Sequence, residues 1–240
     1  MENEVGSLTP FKKMLNDMRR RWRLEDLEKL ALGYVVSNFD LFSEQNQFAI
    51  LPNQLRDDVL QRVLWFCWWG NNVDPEMFPK LFKALPQLLS PHTRKVNLDG
   101  FFSFHPQNSE KAAAVIQVFG WIARLAPNVE ELFLRRFGIR VHPVDSLLQP
   151  LSQMKNLRKM QLKLCRFRFS DLSKLCGDLP SLQEVSVGAI WCLVRDLGDG
   201  SEHEKNLQNL RVLEKIRWRS HHRTLLATVA PHLDCIVATR

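Results

Sequence analysis

Residues that support cross-links and metal sites are scarce in this chain of 240 residues, which has only five cysteines. Their number is odd and no two lie close together, which argues against a disulfide framework and against a zinc site. We therefore expect reduced and mostly buried thiols, as in a reducing compartment. The cysteines are Cys67, Cys165, Cys176, Cys192 and Cys235.

Catalytic motifs are also lacking. The ten glycines form neither a Gly-x-Ser-x-Gly elbow nor a phosphate-binding loop, since Gly198-Asp199-Gly200 is followed by no Lys-Ser or Lys-Thr. None of the seven histidines pairs with a glutamate in the pattern of a zinc protease. We predict a protein that is not an enzyme and has no catalytic residue, no metal and no cofactor.

Long apolar runs are missing as well. The longest apolar cluster covers residues 63–69, far short of the roughly 20 residues that a membrane span requires. The chain opens with the acidic stretch Met1-Glu2-Asn3-Glu4 and no apolar run follows, so no signal peptide is predicted. The expectation is a protein of the cytoplasm or the nucleus with no membrane partner.

The composition is that of a folded chain, with 45% hydrophobic and 25% charged residues. The net charge of +7 predicts mild attraction to acidic partners. It does not by itself indicate nucleic acid, because the electrostatic field matters only where charge is concentrated.

Short segments with one common pattern recur through the last two-thirds of the chain. Four of them begin with a proline, at Pro91, Pro127, Pro180 and Pro231, and two more lack it. Each pairs two apolar residues around one residue of another kind, which predicts a short strand with one buried face. The central apolar positions are Val96, Leu132, Met160, Val185, Ile216 and Ile236, at steps of 36, 28, 25, 31 and 20 residues.

Helical spacing of apolar residues fills the intervals between these strands, as in Val115, Phe119 and Ile122. A strand and then a helix, repeated at such intervals, is the leucine-rich-repeat unit. The predicted fold is therefore α/β, an irregular leucine-rich-repeat curved solenoid with an N-terminal helical box. An ordinary α/β domain whose strands look alike by chance is the alternative.

The predicted organisation has three parts. Residues 1–23 form a basic flexible tail, read as a solvated tail or as a nuclear-import or phosphate-binding patch. Residues 24–88 form the helical box or N-terminal cap, and residues 89–240 form about six repeats. A surface loop is predicted over residues 198–205. The last unit stops at a strand with no polar cap behind it, which predicts a C-terminally truncated fragment, a short isoform or an end covered by another molecule.

Two helices are predicted in the box. Leu24, Leu27, Ala31, Tyr34 and Val35 form the apolar stripe of the first helix. The second begins near Pro52, a residue suited to a first helical turn, and continues its apolar face through Leu55, Val59 and Val63.

These helices resemble the box of leucine-rich-repeat substrate receptors of cullin–RING ubiquitin ligases. In that family a first helix reads Leu-x-x-x-Cys-x-x-x-aliphatic and docks on elongin C. A second motif, apolar-Pro-x-x-apolar-x-x-x-apolar, helps to choose the cullin in the von Hippel–Lindau class. Antagonist-of-mitotic-exit-network-like and PRAME-like proteins share the order of box and repeats. The positions that match the two motifs, and that the resemblance implies as adaptor-binding, are Leu27, Ala31, Val35, Leu51, Pro52, Leu55 and Val59.

The resemblance implies elongin B/C and a cullin as partners. Ala31 stands in place of the family's cysteine, and the smaller side chain weakens docking by on the order of 1 kcal/mol. Two other readings stay open: the helices only cap the first open face of the solenoid, or Leu51-Pro52 opens an F-box. Nucleic-acid binding is a weaker alternative.

The residues that flank the buried strand positions are expected on the concave face of the solenoid. Basic residues dominate the third and fifth units, so we expect an acidic protein partner there. The predicted substrate-binding residues are Phe133, Arg135, Lys159, Gln161, Lys163, Lys215, Arg217 and Arg219.

Overall fold

A computed structural model describes residues 24–69, 77–104, 111–135, 145–191, 201–215 and 234–237. The front helices are α1 (Leu24–Ser37), α2 (Phe39–Glu44), α3 (Asn53–Trp69) and α4 (Met77–Leu88), with a short 3-10 helix at Gln47–Ile50. The strands are β1 (Lys95–Asn97), β2 (Glu131–Phe133), β3 (Lys159–Arg168), β4 (Glu184–Trp191), β5 (Val212–Lys215) and β6 (Asp234–Val237). Between them lie α5 (Lys111–Leu125), α6 (Asp145–Ser152), α7 (Phe169–Asp178) and α8 (Ser201–Leu207), and a 3-10 helix at Phe101–Phe104.

The six strands form one open sheet in the order β1 to β6, and every neighbouring pair is parallel. Parallel neighbours need a crossover connection, and α5, α6, α7 and α8 each lie between two successive strands. The mixed α/β class with a parallel sheet is therefore confirmed. The predicted box is helical, and α1 and α3 coincide with its two predicted helices.

The same turn precedes each of the first five strands. A backbone N–H bonds to the carbonyl three residues earlier at Thr93, Val129, Leu157, Leu182 and Leu210. Next, one carbonyl accepts two successive N–H groups of the following unit: Arg94 O from Glu130 N and Glu131 N, and Glu130 O from Arg158 N and Lys159 N. The repeat seen in the sequence is thus a repeat of backbone hydrogen bonds.

The register aligns the central apolar residues of the units, which are Val96, Leu132, Met160, Val185, Leu213 and Cys235. The first four are the predicted positions. The predicted fifth and sixth positions, Ile216 and Ile236, are wrong, because β5 and β6 are aligned by Leu213 and Cys235 instead. Leu210, buried at 1% exposure, takes the place of Leu157 and Leu182 in the turn.

The third and fourth units depart from the regular pattern. β3 and β4 are ten and eight residues long, and their register shifts between Leu162 and Arg166. A Cβ atom at Gly188 would lie 2.3 Å from Lys163 O, so only glycine allows the two strands this close at the bulge. The loop predicted over 198–205 is also corrected in part, since α8 begins at Ser201.

One continuous apolar core joins the front helices to the repeats. The aromatic rings of Phe39, Phe42 and Phe48 pack together, with Phe48 fully buried. α3 lies against the edge strand β1, where Gln61 Nε2 donates to Lys95 O at 2.8 Å. The front helices thus cover the first edge of the sheet, which would otherwise present unpaired backbone groups.

Candidate protein-binding surfaces

The residues predicted to bind an adaptor divide into two groups. Val35 and Val59 are buried, at 3% and 0% exposure. Both belong to the core because the apolar faces of α1 and α3 turn towards it, so in this structure they offer no surface to a partner. Ala31, Leu51 and Leu55 are half-buried, and Leu51 and Leu55 pack against the core. Pro52 is exposed; Leu27 lies on α1, and its side chain is outside the described residues.

Exposed apolar side chains concentrate in the front helices. Among the described residues, the exposed large hydrophobic side chains all lie between residues 24 and 69, and they are Leu30 (41%), Tyr34 (39%), Leu41 (45%), Ile50 (79%) and Trp65 (45%). A side chain as apolar and exposed as Ile50 indicates a contact surface when it has exposed apolar neighbours. The described part of the repeats contributes none to this set.

Leu30 and Tyr34 are exposed but are not among the predicted adaptor-binding residues, although the sequence carries a signal for them. They are four residues apart, so they lie on one face of α1, and Leu27 precedes them by one turn and by two turns. Tyr34 packs edge-on against Phe42, at 6.4 Å between ring centroids. Helical spacing alone could have identified this face, but not that it turns away from the core.

The residues that flank the buried strand positions, here called the strand face, were predicted to form a basic concave surface. In the described part of this face, acidic and basic side chains balance one another. Lys95 pairs with Glu131 at 3.0 Å, Lys159 pairs with Glu184, and Lys163 pairs with Glu214 at 3.3 Å. Each lysine thus meets a glutamate from a later strand. The basic character predicted for Lys159 and Lys163 is cancelled locally, which the spacing within a single unit does not reveal.

The fifth unit supplies an acid where bases were predicted. Glu214 is aligned with Ser186, Gln161 and Phe133, which are the predicted outward positions of earlier units. Lys215 is aligned with Val187, and its side chain lies outside the described residues. Gln161 is half-buried. Arg217 and Arg219 lie outside the described residues.

Phe133 is covered rather than exposed, at 7%. Lys95 Nζ lies 5.1 Å from its ring centroid and Arg135 Cζ lies 5.4 Å from it, so a cation lies near the ring from each of two neighbouring units. Arg135 Nε in turn donates to Asp99 Oδ2 at 2.6 Å. Asp99 is almost fully buried, and its other oxygen accepts the Arg135 backbone N–H at 2.5 Å. Phe133 and Arg135 therefore belong to a tight local network.

The described residues contain no group of three or more His, Cys, Asp or Glu side chains that could hold a metal ion. Burial raises the pKa of the Cys165 and Cys176 thiols to about 12, which leaves them protonated and weakly nucleophilic at neutral pH. His203 Nδ1 lies 2.9 Å from Ser173 Oγ, yet Ser173 is fully buried and out of reach of a substrate.

A search of the described helices finds none with the length and apolarity needed to cross a membrane. The chain matches no protein-family model, and no curated protein has a significantly similar sequence.

Proposed function

We propose that this chain is a protein-binding leucine-rich-repeat protein that serves as the substrate-recognition subunit of a cullin–RING ubiquitin ligase. The front helices would bind the adaptor, and the repeats would bind the substrate. The observation that carries the proposal is the concentration of exposed apolar side chains in the front helices. A helical element that only capped the sheet would need an apolar face towards the core alone.

The leucine-rich-repeat reading is supported by the order of the strands and by the repeated turn. Six parallel strands follow one another in sequence order, and a helix returns the chain between successive strands from β1 to β5. Each unit contacts its neighbours by the same backbone hydrogen bonds. Such nearest-neighbour stacking is how solenoid proteins build a core that a single unit cannot enclose.

The proposed adaptor is elongin B/C, with a cullin bound beyond it. The contact surface we assign to it comprises Leu30 and Tyr34 on α1, with Ile50 and Pro52 ahead of α3. Burial of one large aliphatic side chain stabilises a complex by about 1.5–3 kcal/mol. Replacement of Leu30 or Ile50 should therefore weaken adaptor binding most.

A second function is favoured by the contact between α3 and β1. Gln61 Nε2 donates to Lys95 O at 2.8 Å. This bond ties the front helices to the first repeat, as expected of a cap in a scaffold that recruits no ligase. In a ligase subunit the outer side of these helices would bind an adaptor, whereas in a scaffold it would bind none. F-box or nucleic-acid readings have no comparable support in the described residues.

The acidic partner expected on the strand face is retained as a proposal only for the part of the face that would follow β5. Arg217 and Arg219 carry that proposal. Over β1 to β4 a partner of mixed charge is the better match, because lysines and glutamates alternate there.

The proposal is tested by purifying the chain from cells and probing for elongin B, elongin C, cullin and the F-box adaptor. A Leu30→Asp/Ile50→Asp double variant should lose the elongins. Gln149→Asp/Gln153→Asp is the matched control, because it adds the same charge at exposed positions between β2 and β3. Absence of every adaptor from the wild-type sample would refute the ligase function and leave the scaffold.

A further inference from the structure

A row of polar side chains, four of them charged, lies at the turns that lead into the first five strands. The residue directly before each of the first five strands belongs to it, and these are Arg94, Glu130, Arg158, Gln183 and Arg211. They are equivalent because the strands that follow them are aligned residue by residue. We call Arg94, Arg158 and Arg211 the arginine row; all three are exposed.

The turns beneath the arginine row are tied to one another by asparagine side chains. Asn128 Nδ2 donates to Pro91 O at 2.9 Å, and Asn156 Nδ2 donates both to Pro127 O and to Asn128 Oδ1 at 3.1 Å. These bonds connect three successive units at the end of the sheet where the strands begin. A surface fixed in this way loses little conformational entropy when a ligand binds.

Within the described part of the chain, two arginines of the row share the single carboxylate of Glu130. Glu130 reaches Arg94 at 3.4 Å and Arg158 at 3.6 Å, which are long contacts to arginine side chains that are 58% and 64% exposed. Exposed pairs of this kind contribute little and yield readily to another carboxylate. Arg211 forms no ion pair with a described residue, and Gln183 is neutral.

The spacing of the row defines the ligand. Neighbouring strands lie about 4.8 Å apart, so arginines on every second strand are separated by about 10 Å. A peptide extended in the polyproline II conformation has three residues per turn and rises about 3.1 Å per residue, so every third side chain lies on the same face, about 9 Å from the last. We propose that the arginine row binds an extended acidic peptide that runs across the strands and places a carboxylate at every third residue.

A single-stranded nucleic acid fits the row less well. Proteins that bind such strands combine basic residues with exposed aromatic rings on which the bases stack. The exposed aromatic side chains in the described residues, Tyr34 and Trp65, lie in the front helices and not in the repeats. The glutamate within the row also repels a phosphate backbone, whereas a peptide can place a neutral residue opposite it.

This inference does not rest on ligase membership, and its test needs no adaptor. The purified full chain is titrated into a fluorescein-labelled peptide with glutamate at its first, fourth and seventh positions and glycine or serine between them. A peptide of the same composition with its three glutamates adjacent controls for charge alone. Fluorescence anisotropy gives the Kd, and a single-stranded RNA of equal length is measured in parallel.

We expect the spaced peptide to bind more tightly than the clustered one, and binding to weaken with added salt. Arg158→Glu and Arg211→Glu should each weaken binding about fivefold to tenfold. Glu130→Gln should tighten it, because the competing carboxylate is removed; a variant that merely misfolds cannot give that result. Lys83→Glu is the matched control, since it reverses an exposed charge on α4, within the front helices.

Equal binding of the two peptides would overturn the proposal, as would equal losses in Lys83→Glu and Arg158→Glu. Tighter binding of the RNA than of the spaced peptide would overturn it in favour of a nucleic-acid surface.

Discussion

The alignment of β5 with β4 predicts which engineered cysteines can form a disulfide. Ser186 and Glu214 are register partners on adjacent parallel strands, so their Cα atoms lie about 4.8 Å apart. Disulfides form across Cα separations of about 4.4–6.8 Å. A Ser186→Cys/Glu214→Cys variant should therefore oxidise readily. A residue three positions further along, Arg217, would be Ser186's partner only if Ile216 were the central residue of the unit.

The stabilisation expected from this disulfide follows from the length of the loop that it would close. Positions 186 and 214 are 28 residues apart, and chain entropy assigns a loop of that length roughly 3.5 kcal/mol of stabilisation. For a protein of this size, that corresponds to a rise in Tm of very roughly 10 °C. The rise must vanish when a reductant is added.

The assay combines intact-mass and thiol counting after mild oxidation with thermal unfolding in the presence and absence of reductant. Gln161→Cys/Ser186→Cys is the matched control, because these residues are partners between β3 and β4. A Ser186→Cys/Arg217→Cys variant should stay reduced. If it oxidises while Ser186→Cys/Glu214→Cys does not, the register of the fifth unit, and with it the Lys163–Glu214 pair, is wrong.

Three further substitutions test the packing. Phe48→Ala should cost about 3–5 kcal/mol in urea unfolding, because the ring is fully buried against Phe39 and Phe42; a loss below 1 kcal/mol would contradict that packing. Asp99→Ala should lower the free energy of unfolding by about 2 kcal/mol, because the Arg135 backbone N–H loses its hydrogen-bond acceptor. An unchanged urea midpoint would exclude this buried hydrogen bond. Burial raises the pKa of Asp57, so its ionisation costs stability as pH rises through the folded-state value. Asp57→Asn should therefore gain stability over wild type between acid and neutral pH, and a gap that narrows with rising pH would refute the sign.

Local pattern was enough to predict the first four strands. Each has the apolar spacing that ends in a buried pair, as in Met160 and Leu162, and the register aligns these pairs. The fifth unit misled the prediction because Lys215 breaks the apolar pair after Leu213, while Ile216 and Trp218 restore the same spacing three residues later. The choice between the two registers is made by contacts with β4, which the local spacing does not contain.

Burial of individual site residues was the least predictable feature. Phe133 occupies an outward register position, yet it is covered by Lys95, a residue 38 positions earlier in the chain, and by Arg135. Likewise, the helical spacing of Val59 predicted an apolar face correctly but gave no information on what that face contacts. The prediction of a basic strand face failed for the same reason, because the glutamates that pair with the lysines come from later units.

The central claim is that the outer side of the front helices binds an adaptor. Its most direct test is a titration of the purified chain with reconstituted elongin B–C, followed by calorimetry. The account predicts saturable one-to-one binding that Leu30→Asp/Ile50→Asp weakens by at least roughly tenfold and that Gln149→Asp/Gln153→Asp leaves unchanged. No binding by the folded wild-type chain, or equal binding by both double variants, would contradict it.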